Sequence, residues 1–260
     1  MLKPTILIVN DDGFDAIGLK VLKKSLQSLA HIVCVAPLQN KSASSHSMTL
    51  NRPLFMKSFD DDSYTIDGTP TDCVFVALHS LFKDKKPDLV ISGINIGSNM
   101  GEDITYSGTV AAALEASIHG VNAIAISQVF DNLKPNENKN DYKFELASKI
   151  IHDTTKKIFD SSYPIEKRKI LNINVPQLKC SQYKGIKITK AGHREYGDDL
   201  RTHYNPRGEL YHWIGLHPLS WQSDDKSCDF EAIKDGFVSI TPISSNMTSQ
   251  DDLKRLIQWL

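Results

Sequence analysis

Residues 5–13 read TILIVNDDG: five apolar or β-branched residues with no polar alternation, then an amide, two carboxylates and a glycine. An unbroken apolar run of that length is the pattern of a strand buried on both faces of a parallel sheet. Working outward, residues 17–29 set Ile17, Val21, Leu22, Leu26 and Leu29 at helical spacing with lysines between them. A second strand is expected at 32–36 (IVCVA), stopped by Pro37, and a polar loop from Gln39 to Ser47 follows it. Thr69-Pro70-Thr71-Asp72 is a helix start, with Thr69 as N-cap, Pro70 at the first helical position and Asp72 placed to close a capping box. That helix should run to about Phe82.

The alternation continues. A strand at 88–92 (DLVIS), a Gly/Asn-rich loop, a helix at 108–119 closed by Gly120 and a strand at 123–127 (AIAIS) make a βαβ succession. Residues 131–145 are polar and lead into a helix from about 143 to 159, and the strand at 169–175 (KILNINV) ends at Pro176. Right-handed crossovers put helices on both faces of such a sheet, so the expected fold class is α/β, a three-layer doubly wound, mostly parallel sandwich. Beyond it, 185–190, 194–214 and 236–242 have the texture of strands and hairpin arms, and Ser249-Gln250-Asp251-Asp252 opens a short final helix. The division expected is a catalytic core over 1–178 and, over 179–260, a C-terminal β-arm and oligomerisation region whose last helix packs back on the core.

With 260 residues the chain can bury one large core plus an extension. Its formal net charge of −1 argues against polymeric nucleic acid, whose backbone is met by clustered Lys and Arg. Cys34, Cys73, Cys180 and Cys228 are scattered, with no zinc-type spacing, and read as free thiols of a reducing compartment. The apolar stretch near the N-terminus is too short for a membrane span and ends in carboxylates instead of a cleavage site. The expectation is therefore a cytoplasmic protein with no membrane partner.

In an open parallel sheet, ligands sit outside the carboxyl ends of the strands. The loops after 5–9, 32–36 and 88–92 should thus converge, and they hold the unusual residues: Asn10-Asp11-Asp12-Gly13, Lys41–Ser47 and Ser92–Gly101. Two adjacent carboxylates at a buried strand end repel each other unless a cation sits between them, so Asp11 and Asp12 ask for a metal. The neighbouring candidates are hard oxygen donors, which suit Mg²⁺, Mn²⁺ or Ca²⁺ better than zinc or copper. The plainer reading of DDG is a strand-to-helix turn with Asp as N-cap. At Tyr106-Ser107-Gly108-Thr109, a small-residue loop runs into an Ala-rich helix whose free amides, with the Ser107 and Thr109 hydroxyls, suit an anion, although Ser107 also reads as a plain N-cap. A metal site beside an anion site points to phosphoryl transfer to water.

In four ordered blocks the chain resembles the SurE nucleotidases: NDDG at 10–13, APLQNKSASSHSMTL at 36–50, SGINIGSNMG at 92–101 and YSGTVAAALEA at 106–116. GTPTDCV at 68–74, LNINVP at 171–176 and DFEAIKDGFVSITPI at 229–243 are similar to that family as well. The resemblance implies that Asp11 and Asp12 are metal carboxylates, Ser42 a hydroxyl ligand and Asn95 an amide ligand. It implies that Asn99, Ser107, Gly108 and Thr109 hold the phosphate, with Asn10 and Asp103 behind them.

One divalent ion per subunit is implied, Mg²⁺ or Mn²⁺, with Ca²⁺ able to occupy the site. The implied activity is removal of phosphate from nucleoside 5′-monophosphates, with 3′-monophosphates and short polyphosphate as further substrates. In that mechanism a water deprotonated with help from Asp11 or Asp12 attacks phosphorus in line, while Asn99 and the 107–109 amides stabilise the developing charge. Family members pair as dimers or tetramers through C-terminal arms, and 194–214, rich in Tyr196, Tyr204, Tyr211, His212 and Trp213, resembles such an arm. His46 could serve as an acid or base, but a lone histidine in a Ser-rich loop reads as a solvated or structural residue and is left out of the site.

Two other classes compete. A haloacid-dehalogenase-type phosphatase follows a strand with DxDG, but here Asn10 stands where the nucleophilic Asp would be. A non-catalytic nucleotide-binding module lacks its GxGxxG signature and leaves the paired Asp residues without a purpose.

Overall fold

The computed structural model describes residues 3–130, 143–215 and 218–260. In chain order the elements are β1 (Thr5–Val9), α1 (Ile17–Leu26), β2 (His31–Pro37), β3 (Met56–Asp60), β4 (Ser63–Ile66), α2 (Pro70–Ser80), β5 (Leu89–Ile96), a 3₁₀ turn over Gly101–Thr105, α3 (Gly108–Ile118) and β6 (Ala123–Gln128). Then come α4 (Glu145–Asp160), β7 (Lys169–Val175), β8 (Ile186–Ile188), β9 (Arg194–Glu195), β10 (Leu200–Tyr204), β11 (Leu210–Ile214), β12 (Ser220–Trp221), α5 (Asp229–Lys234), β13 (Val238–Ser244) and α6 (Gln250–Trp259). Most of the polar segment read at 131–145 lies outside the described residues.

The main sheet runs β3-β4-β2-β1-β5-β6-β7-β13-β8. From β2 through β1, β5 and β6 to β7 every pairing is parallel, while β3 and β13 join antiparallel. The chain leaves β1 toward β2 and β4, then returns to β5 on β1's other side, so the doubly wound order reverses between β1 and β5. The crevice of such a sheet opens at the carboxyl ends of those two strands.

Alternation along the buried strands supplies both faces. Ile6 and Ile8 pack with Leu19, Leu22 and Leu26 of α1 and Ile150 and Ile151 of α4, whereas Leu7 and Val9 pack with Val74 and Ala77 of α2 and Val110, Ala112 and Ala113 of α3. Helix α2 starts as its sequence requires: the Thr69 hydroxyl accepts from the Asp72 amide and the Asp72 carboxylate accepts from Thr69 N–H. A cap of this kind is worth about 1 kcal/mol. Helix α1 comes so near the sheet that a Cβ on Gly18 would lie 2.0 Å from the Ile94 carbonyl oxygen.

Several features differ from the sequence reading. Strands β3 and β4 were not expected, because β3 (MKSFD) is exposed at every residue and has no apolar run to mark it. The sheet also crosses position 178, since β13 and β8 extend it beyond β7. Helix α6 does not pack back on the core: none of its residues is buried, and Leu256, Ile257 and Trp259 are exposed. Its apolar stripe finds no matching surface among the described residues. The hairpin β10–β11 projects likewise, with Tyr204, Trp213 and Ile214 exposed.

Candidate active site

Parallel pairing sets Val9 opposite Ser92; beyond that pair Asn10–Gly13 leaves the sheet, while β5, expected to end at Ser92, runs on beside β6 to Ile96 before the 97–101 loop begins. Asn10 is buried, and its side-chain amide donates to the Gly13 carbonyl at 2.8 Å, closing the turn. Neither Asp caps α1, whose N-cap is Ala16 with no side-chain hydrogen bond. The plain N-cap reading of the DDG turn is thereby removed.

Asp11 is 4% exposed. Its Oδ1 accepts from the Thr109 hydroxyl at 2.5 Å, and among the described residues no cationic side chain pairs with it. Burial above all, and then the charge of Asp12, push its pKa up to about 6, against hydrogen bonds from Thr109 that pull the other way. Asp12 is half-buried, and its Oδ2 accepts from the Ile96 amide at 3.4 Å. Asn95 stands one residue earlier, where the register between β5 and β6 shifts, and its amide donates to the Gly97 carbonyl at 3.0 Å.

The loop carrying Ser42 closes over this end of the sheet. The Lys41 amide donates to the Asp11 carbonyl at 2.7 Å, and the Ser45 amide and hydroxyl reach the Tyr106 and Thr105 carbonyls at 3.0 and 2.7 Å. Ser42 itself is exposed, with its amide on Asn40 Oδ1 at 2.8 Å. Three buried oxygens along this edge, on Asn10 (Oδ1), Ser44 and Ser92, meet no protein hydrogen-bond partner among the described residues.

The α3 end differs in part from expectation. Ser107 is the N-cap, its oxygen accepting from the Val110 amide at 3.0 Å, which leaves its own O–H free to donate. The Thr109 hydroxyl hydrogen is spent on Asp11, so in this arrangement Thr109 orients a carboxylate instead of meeting an anion. Gly108 lies against Asp11 and Ser44.

Asn99 is buried and held from three sides: its side-chain amide donates to the Ser127 hydroxyl at 2.7 Å, its N–H donates to Asn174 Oδ1 at 2.9 Å, and its carbonyl accepts from Asn172 and Asn174 at 2.8 and 3.0 Å. Those supports went unread in the sequence, although LNIN places Asn172 and Asn174 on one face by strand alternation. Asp103 does not back the carboxylates. It pairs with Arg194 and accepts from the Tyr196 hydroxyl at 2.9 Å, at the root of the arm. Asp229, also unread, is fully buried and accepts from the amides of Gly101, Gly192 and Phe230 at 3.0, 2.9 and 3.0 Å.

This donor set fits a hard divalent cation. It offers two carboxylates, one sealed from water with its pKa raised, beside neutral hydroxyl and amide oxygens. Among the described residues no group of three or more His, Cys, Asp or Glu side chains is placed to hold a metal, which sets the site apart from a zinc cluster. All four cysteines are free. No helix among the described residues is long and apolar enough to cross a membrane.

A family profile described as Survival protein SurE matches residues 6–198. The chain is 58% identical to the 5′-nucleotidase SurE of Aliarcobacter butzleri, with 98% of each chain covered. It is 50% identical to the 5′-nucleotidase SurE of Helicobacter hepaticus, again over 98% of each. Among solved structures, the SurE protein of Aquifex aeolicus superposes with a TM-score of 0.83 at 38% identity, covering 98% of this chain and 99% of that one.

Proposed function

The chain belongs to the SurE family, and from that premise we propose that it is a metal-dependent phosphoric monoester hydrolase, a 5′-nucleotidase that converts nucleoside 5′-monophosphates to nucleoside and phosphate. The observation that carries the reading is the sealed Asp11 carboxylate, raised by burial and by Asp12 and oriented by Thr109, at the switch point of the sheet. Burying such a charge is costly, and a cation beside it offsets that cost. Nucleoside 3′-monophosphates, also phosphomonoesters, and short polyphosphate, whose terminal phosphoryl group is cut from a phosphate oxygen instead of a sugar oxygen, are proposed as secondary substrates.

Asp11, Asp12, Ser42 and Asn95 would hold one divalent ion, Mg²⁺ or Mn²⁺, with Ca²⁺ able to occupy the same oxygens. When bound, the ion supplies Lewis-acid polarisation of the phosphate and makes water more acidic at neutral pH. Asp11 or Asp12 takes a proton from the attacking water, whose oxygen adds to phosphorus as the ester bond to the sugar oxygen breaks; that proton ends on the departing hydroxyl. The free Ser107 O–H, the Gly108 amide at the positive end of α3 and the second amide hydrogen of Asn99 face the growing negative charge. Thr109 serves by fixing Asp11. Asn10, which shapes the turn, stands where an aspartyl-phosphate enzyme needs its nucleophile, so no phosphoenzyme forms.

The exposed aromatic hairpin β10–β11 and helix α6 support assembly of copies into a homodimer or homotetramer, because aromatic residues on a projecting ribbon favour burial against a partner. The cytoplasm is the proposed location.

Phosphate release from a panel of nucleoside 5′- and 3′-monophosphates, after chelation and again with Mg²⁺ or Mn²⁺ restored, tests the proposal against Asp12→Asn. Metal-dependent release abolished by the substitution is expected. A folded protein that releases no phosphate with any ion or nucleotide would overturn it.

A further inference from the structure

We propose that His46 is a positioning residue, whose hydrogen bond to Glu115 holds the Lys41–Ser47 loop, and with it Ser42, in register with the carboxylates of the site. The inference rests on the functional reading above and assigns a role to a histidine that the sequence reading left aside.

Glu115 lies in α3, the helix whose first turn gives Thr109 to Asp11, and it is 5% exposed. A carboxylate in such surroundings stays ionised only if each oxygen finds a donor. Both do: His46 Nε2 lies 2.8 Å from Oε2, and His119 Nε2 lies 2.9 Å from Oε1. Burial works to raise the Glu115 pKa, but the two imidazoles outweigh it and hold the carboxyl below its ordinary value. An ionised carboxylate only accepts, so Nε2 carries the hydrogen in both rings.

The two histidines do different work. His119 is four residues along the same helix, packed edge-on against His79 and Phe75 with ring centroids 4.8 and 5.5 Å away, and its carbonyl accepts from Lys86 Nζ at 2.6 Å. It satisfies one oxygen locally. His46 comes from 69 positions away in sequence, so its bond to the other oxygen ties a separate loop to the helix.

That loop needs tying. Ala43 and Ser45 have φ of +59° and +52°, in the left-handed region that non-glycine residues enter only when their surroundings over-determine them. The loop is pinned at its start by the Lys41 amide on the Asp11 carbonyl, and at its end by the Thr69 hydroxyl on the Ser47 carbonyl at 2.7 Å. Between those points Ser45 holds the turn before α3, and His46 reaches the body of the helix. Ser44 Oγ lies so near Gly108 that a Cβ there would sit 2.8 Å from it. A shift of the loop by a fraction of an ångström therefore moves Ser42 and Ser44 relative to Asp11.

The test compares wild type with His46→Ala and His46→Gln. Glutamine keeps an N–H donor for Glu115 but cannot transfer a proton at neutral pH. Mn²⁺ affinity is measured by calorimetry on metal-stripped protein, alongside kcat, KM and thermal melting. Alanine is expected to raise the Mn²⁺ Kd about tenfold, the scale seen when a residue supporting a metal ligand is lost, with glutamine returning it to within about threefold of wild type.

Wild-type Mn²⁺ affinity and kcat in the alanine variant would overturn the proposal. So would a glutamine variant with normal Mn²⁺ affinity and a kcat as low as alanine's, which would make His46 a proton carrier. If alanine does not fold, His46→Phe, which keeps the ring's bulk and has no donor for Glu115, takes its place in both comparisons. A wild type that binds Mn²⁺ but releases no phosphate would sink the nucleotidase reading, while the Mn²⁺ titration would still decide the role of His46.

Discussion

Replacing Gly108 by alanine adds one methyl group directly against Asp11. The new Cβ would lie 2.8 Å from Ser44 Oγ, 2.9 Å from Asp11 Cβ and 3.1 Å from Asp11 Oδ2, where ordinary contact starts near 3.4 Å. Gly108 is outside the left-handed region, so alanine suits the backbone and gains up to about 1 kcal/mol of helix propensity. Against this, Asp11 Cβ is anchored to the end of a buried strand and must retreat about 0.5 Å, within the range of core overpacking, which costs about 1–3 kcal/mol. The clash wins, leaving a net loss of about 1–2 kcal/mol. For a chain of 260 residues that lowers Tm by roughly 2–8 °C, so the variant stays folded at 25 °C. Its activity should fall much further, by up to about 100-fold, because the displaced group is a proposed ligand whose placement sets the reaction geometry. Phosphate release at saturating Mn²⁺, Mn²⁺ titration and a thermal melt on one preparation measure all three effects. A Gly108→Ala variant with wild-type kcat and Mn²⁺ affinity would refute the packing argument and the placement of Asp11 at the reaction centre.

Asp11→Asn should abolish phosphate release and, in the metal-free protein, raise Tm at pH 7. A carboxyl whose pKa rises to about 6 on folding favours its protonated form, so its contribution weakens the fold as pH climbs from about 4 to about 6 and stays unfavourable above; a neutral amide removes that term, and an unchanged Tm would count against it. Because a cation must displace that proton, Mn²⁺ affinity in the wild type should fall about tenfold per pH unit below 6, which calorimetry at several pH values reads directly. Thr109→Val keeps the shape but removes the donor on Asp11 Oδ1; a hydrogen bond to a charged group is worth about 1.5–3 kcal/mol, so Mn²⁺ affinity should weaken by at least tenfold, and an unchanged value would show that the bond is unimportant. Asp229→Ala strands three buried amide donors and should lower stability by about 2–4 kcal/mol in denaturant unfolding, against no change if those amides find other partners.

Much of this protein was legible in local pattern. The apolar runs TILIV and KILNINV mark β1 and β7 to the residue, and Thr69-Pro70-Thr71-Asp72 encodes the capping box that forms. The crevice followed from strand order alone, because the adjoining DDG and SGINIGSN loops follow parallel neighbours. Strands β3 and β4 escaped because their side chains are largely polar and β3 is exposed, so no burial period betrays them. Helix α5 escaped because it is only six residues long. Helix α6 was legible as a helix, but its packing was not, since an amphipathic stripe states that a partner is needed without saying which surface supplies it.

By itself the sequence determined the alternating βα framework, the location of the carboxylate pair and the chemical kind of ligand proposed for it, because propensity, capping and like-charge repulsion act between near neighbours. Only the tertiary structure decided which side chains complete the site. Thr109 turning its hydroxyl to Asp11, Asn172 and Asn174 cradling Asn99, His46 reaching Glu115 and Asp229 gathering the amides of Gly101 and Gly192 all join residues dozens of positions apart. Such contacts answer the need of a buried polar group for a partner. That need is fixed by the residue, but the partner is fixed by where the packed sheet and helices bring the chain back on itself.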